Sequence, residues 1–303
     1  MILAGCTSLA QTDTTYWKRG AKGAINFTQV SLKNWASGGE NSVAFNTYLN
    51  LFANYSKAGK SWDNSLELGY GLVNQSNSGV RKSDDKIIFS TKYGYQLKSQ
   101  GQLYWSSLLD FKTQFTDGYE YGDDGTETRI SDFMTPGYIT ISTGLEWKPS
   151  EKFSLLYAPL TGKITIVQGQ KLADRGEFGV EPAGYDPIGV KIKDGENVRT
   201  EFGSFLKAAF KSDIATNVNL ESKLELFTAY DEKFGNIDVN WQNALTMKVN
   251  DRLAASFITQ LLYDDDIRIA ESFDLAGNPI DAKQRIQWKQ ILSIGITYDF
   301  GDK

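Results

Sequence analysis

The sequence predicts an all-β chain, a transmembrane antiparallel up-and-down β-barrel of about 12 strands with short periplasmic turns and long extracellular loops. Three observations carry this: apolar and polar residues alternate along long segments, short and long connections take turns, and aromatic residues gather near segment ends.

Strands are expected near 21–32, 43–55, 62–74, 86–98, 102–116, 137–148, 152–167, 197–211, 216–229, 236–249, 252–263 and 285–300. In the segment 216–228, Val218, Leu220, Leu224 and Leu226 share one face, opposite Asn217, Asn219, Glu221, Lys223 and Glu225. The last strand sets Trp288, Leu292, Ile294, Ile296, Tyr298 and Phe300 against Lys289, Ser293, Gly295, Thr297 and Asp299. A dyad repeat with lipid outside and polar groups inside gives this pattern. A soluble sheet with one wet face also alternates, but several of these segments exceed the ~5–6 residues usual there.

The connections follow in order. Ser56 to Ser61, Ser99 to Gly101, Pro149 to Glu151, Ser212 to Ala215 and Asn250-Asp251 are short. Those at 33–42, 75–85, 117–136, 168–196, 230–235 and 264–284 are mostly longer and polar. Outer-membrane barrels have this asymmetry, periplasmic on the short side. Aromatics mark both ends of the apolar face. Tyr55, Trp62, Trp105, Trp147, Phe153, Phe210 and Phe300 lie near the short turns, and Phe45, Phe115, Phe202, Tyr263 and Trp288 lie toward the long loops. Two girdles of rings suit two membrane interfaces.

A net charge of −5 gives a nucleic-acid partner no electrostatic support. No apolar run approaches the ~18 residues of a membrane helix, which leaves a strand-built crossing untouched. At the N-terminus, Leu3-Ala4-Gly5-Cys6 looks like a lipobox and Ser8-Leu9-Ala10-Gln11 like an ordinary cleavage site. Both mean export. Residues 1–11 are expected to be a signal-peptide remnant and 12–303 one barrel domain.

Several segments also resemble a Bacteroidota family of outer-membrane β-barrels that is catalogued only as a domain of unknown function. They are Asn34-Trp35-Ala36-Ser37-Gly38-Gly39-Glu40-Asn41-Ser42, Trp62 to Leu66, Gly69-Tyr70-Gly71, Asp84-Asp85-Lys86 and Phe111 to Phe115. Ala158 to Lys163, Leu172 to Gly179-Val180, Asn236 to Trp241 and Tyr263 to Asp266 continue the resemblance. It implies a bacterial outer-membrane location and brings no catalytic or ligand residues.

The chain has no histidine. That removes Ser-His and Cys-His nucleophile activation and His-ligated metals, and no enzyme, cofactor or metal is expected. Only carboxylate-pair chemistry survives, and nothing singles out a pair. The acidic clusters Asp84-Asp85, Asp123-Asp124 and Asp264-Asp265-Asp266 are read as solvated loop acids.

The inward-facing charges are the candidate site: Glu67, Lys92, Asp110, Lys112, Glu146, Lys148, Arg199, Glu201, Lys207, Glu221, Lys223, Glu225 and Lys289, with Lys248 and Asp299. They either tune a polar path or pair across a filled lumen. Asn34, Trp35, Gly38 and Gly39 form a loop candidate for capping the lumen, meeting a partner or packing on the rim. The loop 168–196 is expected either to fold inward or to project as a docking surface. Two functions follow. One is a narrow or gated channel for small solutes. The other is a non-conducting barrel that serves as a subunit of a larger outer-membrane complex. Expected partners are outer-membrane lipid, lipopolysaccharide and other outer-membrane proteins.

Overall fold

The computed structural model describes residues 16–32, 41–76, 78–98, 101–122, 125–230, 234–269, 272–273, 279–280 and 282–301. The signal-peptide remnant, Asp123-Asp124 and the loop candidates Asn34, Trp35, Gly38 and Gly39 fall outside these residues.

Period-two patterning becomes twelve strands, each long enough to cross hydrocarbon. They are β1 (Trp17–Val30), β2 (Ser42–Lys57), β3 (Lys60–Gln75), β4 (Gly79–Gln96), β5 (Leu103–Thr113) and β6 (Gly137–Ser150). There follow β7 (Phe153–Ile166), β8 (Val198–Ala215), β9 (Val218–Ala229), β10 (Asp238–Lys248), β11 (Leu253–Tyr263) and β12 (Gln287–Gly301). Each pairs antiparallel with its chain neighbours, and β1 pairs with β12 to close the barrel. That last ladder runs only from Gly20↔Gly301 to Asn26↔Gly295, whereas β1 pairs with β2 along its whole length. Closure leaves no sheet edge over that stretch, which a strand-built membrane crossing requires.

The exterior is an apolar belt. Leu292 is 71 % exposed, Phe300 62 % and Ile141 53 %, and exposed Phe27, Leu145, Phe202 and Trp241 continue the belt on other strands. Water-soluble monomers do not carry an apolar surface of that extent. At the turn side Trp17 stacks with Tyr55 and Trp62 at 5.3 and 5.8 Å, and Trp147 meets Phe153 at 6.0 Å. At the loop side Phe202 meets Tyr230 at 5.6 Å, and Tyr70 meets Phe115 at 6.3 Å. Indole nitrogens find oxygen partners, such as Trp62 Nε1 on Thr91 Oγ1 at 2.8 Å. These are the two interfacial girdles.

Two local features depart from the expected pattern. The connection 75–85 is not a long loop: β4 begins at Gly79, whose φ of +69° completes a tight return from Gln75. The polar run Arg81 to Asp85 looks like a loop but continues the strand toward the loop side. In β7, Pro159 has no N–H for the ladder, and register shifts appear on both flanks, opposite Gly144 of β6 and Ser204 of β8. Gly144 lets β6 close on β7 there, since a Cβ would collide with the Tyr157 carbonyl, and Gly203 lets β8 close on β9, where a Cβ would collide with that of Thr228.

Candidate functional site

All the charged candidates face the lumen, and every one has a partner of opposite sign. Near the turns, Lys211 holds Glu221, and Lys248 meets Asp299 at 3.3 Å. One step further in, Glu146 takes Lys92 and also Lys148 at 3.4 Å, with Asp63 at 3.9 Å from both lysines.

The middle level crosses the barrel. Lys223 of β9 reaches Glu67 of β3 at 2.7 Å, and these strands stand six places apart in a ring of twelve. Lys207 of β8 meets Asp110 of β5 at 2.8 Å and Glu225 of β9 at 3.0 Å, and Lys112 of β5 closes on Glu225. Asp110 also accepts from Ser90. The Asp110 and Glu67 side chains are buried, whereas the Lys223 side chain is 43 % exposed, so each pair holds a carboxylate taken out of water. Alongside them, Leu108, Leu156, Ala158, Phe205, Phe227 and Ala229 form an inward apolar cluster. The inner wall is therefore not polar throughout, as the alternation alone had suggested.

Toward the loops a third level forms. Lys163 lies among Asp238 at 2.7 Å, Asp264 at 3.5 Å and Glu201 at 3.6 Å, and Arg199 joins Glu201 at 3.4 Å to Asp266 at 2.8 Å. Lys289 holds Asp84 across the barrel, between strands four places apart. The Lys163 ammonium supplies the positive charge these acids need. Among the described residues no group of three acids, cysteines or histidines is arranged to hold a metal ion.

Asp84, Asp85, Asp264 and Asp266 are thus not solvated loop acids. Asp85 accepts from the backbone N–H of Phe115 at 2.7 Å and of Thr116 at 3.0 Å, and it binds Lys82 at 3.0 Å. Asp63, Lys86, Lys163 and Asp238 also take part in these levels and are not among the candidates named from the sequence.

Between the middle and upper levels lies a chamber of about 380 Å³, bordered by Tyr48, Lys112, Phe227, Gln242, Gln260 and Lys289 among others. Beyond it lies the long segment 167–197. In its first part Val167, Leu172, Ala173 and Val180 are buried together around a helical turn, Gln170–Asp174. Its second part projects as a hairpin pairing Gly184–Tyr185 with Lys191–Lys193, and Tyr185, Ile188, Val190 and Ile192 are exposed on it.

Asp174 ties the two parts together. It accepts from Gln170 Nε2 at 2.8 Å, from the Gly195 N–H at 2.9 Å and from Lys191 Nζ at 2.9 Å. Those hydrogen bonds hold its carboxyl at about 2, against roughly 3.9 in an unfolded chain. A depressed native value adds stability above the unfolded value, and that stability is lost as pH falls toward the native one. Protection of amides 167–197, taken against the intrinsic exchange rate at each pH, is therefore expected to fall between pH of roughly 4 and roughly 2. Asp174→Asn should exchange fast throughout that window, and equal profiles for the two proteins would remove the clasp.

A family model described as a protein of unknown function (DUF3078) matches residues 27–119. The resemblance to a family of unknown function is matched over that stretch, and the segments from Ala158 onward lie beyond it. No curated protein matches the sequence. Among solved structures, the chain is similar to the translocator domain of autotransporter NalP from Neisseria meningitidis, at a TM-score of 0.36 and 7% identity over 97% of this chain and 90% of that one. It is also similar to an outer-membrane channel from Pseudomonas putida F1, at 0.39 and 10% over 100% of both chains. A third is the P. putida toluene transporter TodX, at 0.31 and 12% over 97% of this chain and 80% of that one.

Proposed function

We propose that this chain spans the bacterial outer membrane, long loops outward, and passes small solutes through a lumen gated by ion pairs. The observation that carries this is the nature of the closure below the chamber. Among the described residues, the lumen is crossed there by the tips of Lys112, Lys207 and Lys223, not by a folded plug. Lysine stems are long and flexible, and the half-exposed Lys223 ammonium can swing from Glu67 into water while Glu67 keeps Lys86 at 3.7 Å. Such a barrier gives way without unfolding anything. The loop-side girdle is the surface that would meet lipopolysaccharide.

Single-channel recording on refolded protein in planar bilayers tests this. Wild type should show brief, small steps, and Lys223→Gln, which leaves Glu67 with Lys86 at 3.7 Å, should widen them several-fold. If both proteins stay silent, gated permeation is wrong.

A second function has its own support in the projecting hairpin. Lys191 is tied to Asp174 and Asp194, and Lys193 to Glu181 and Glu196, so the exposed apolar side chains of that hairpin are left to meet something else. A subunit of an outer-membrane complex would use that surface. It should co-purify stoichiometrically with one envelope protein and lose it on Ile188→Asp. A partner retained by that variant would rule the hairpin out.

A further inference from the structure

The chamber borders many charges, yet none is available. Lys112 and Glu225 hold one another, Lys289 holds Asp84, and Lys163 holds Asp238 and Asp264. Lys86 sits over the Tyr48 ring at 4.9 Å, and Lys163 sits over Phe227 at 5.2 Å. A charged solute binding here would have to break a buried pair and leave one member uncompensated.

The amides stand differently. Asn240 donates to Glu225 at 3.1 Å and accepts from Gln260 Nε2 at 3.0 Å and from Gln242 Nε2 at 3.4 Å. Each glutamine thereby commits one N–H. Among the described residues nothing else holds either side chain, so each keeps a carbonyl oxygen and a second N–H for a ligand. Asn26 and Gln287 also line the chamber. On the strands beside the amides stand the apolar side chains of Phe205 and Phe227, which also line the chamber.

We infer that the chamber binds an uncharged, hydroxyl-rich solute of about mono- or disaccharide size. Hydroxyls donate and accept as amides do, and the C–H face of a sugar ring packs on aromatic carbon. A volume of about 380 Å³ lies within the range of small-molecule sites. Side chains of eleven of the twelve strands line the chamber, so the ligand we propose is a free solute and not a lipid headgroup.

This rests on the permeation function proposed above, and the experiment separates the two. Full-length protein in a zwitterionic detergent is titrated calorimetrically with glucose, sucrose and glucuronate. A saturable heat is expected with glucose or sucrose, weaker with glucuronate. Gln242→Leu combined with Gln260→Leu should weaken it about ten-fold or more, while heat-modifiable migration on gels confirms a folded barrel. Tighter glucuronate than glucose, or no heat from either neutral sugar, overturns the ligand class. If Lys223→Gln still conducts in that case, permeation stands without this ligand. If it is silent too, both fall.

Discussion

Lys207→Met should lower the free energy of unfolding in lipid vesicles by about 3–5 kcal/mol, the scale for removing one partner of a buried ion pair. Asp110, buried in the wall of β5, would keep only its bond to Ser90, and Glu225 would keep Lys112. An uncompensated carboxylate deep in the lumen has no water to turn to. The double variant Lys207→Met with Asp110→Leu should recover most of the loss, because the charge goes with its partner. Urea titration of vesicle-embedded protein measures both. A loss below about 1 kcal/mol for the single variant would match a hydrated, screened pair, and the middle of the barrel would then be wet.

Leu292→Arg is expected to cost about 2–4 kcal/mol in a bilayer, the range for a cationic side chain at the midplane of a lipid-facing strand. Leu292 lies in the interior of β12 and is among the most exposed apolar side chains of the belt. Arginine placed there must either draw water into hydrocarbon or bend a long stem toward an interface. The same change at Lys289, whose side chain points inward to Asp84, keeps the charge and should cost much less. The asymmetry between neighbouring outward and inward positions is what counts. Equal small effects at both would mean that water, not lipid, bathes the exterior.

The barrel was legible because its signal is local. Each strand of Asp238–Lys248 or Gln287–Gly301 type announces its two faces by alternation, and Ala58-Gly59 or Asn250-Asp251 announces the return. The inward side of Glu67, Lys207 and Lys223 followed from the same parity. What parity does not contain is the partner. Glu67 and Lys223 are 156 positions apart, and their meeting depends on how the ring closes. Asp84 was lost because a polar run next to a turn looks like a loop. Lys163 was lost because Pro159 shifts the register before it. Phe205 and Phe227 carry the inward parity of polar neighbours, so only the fold reveals the apolar patch they build. Gln242 and Gln260 carry no distinguishing sign in sequence at all.

The hydrogen-bonded overlap of β1 with β12 stops at Asn26 and Gly295, short of the ladders elsewhere in the ring. A ring assembled from consecutive hairpins joins its two chain ends last, and here it does so with its briefest zip. The weakest hoop joint is therefore also the final one to be made, and under strain or during insertion it should be the first to part. On its loop-side continuation stand Gln287 and Lys289, so a parting there would breach the chamber sideways before any other wall gives way.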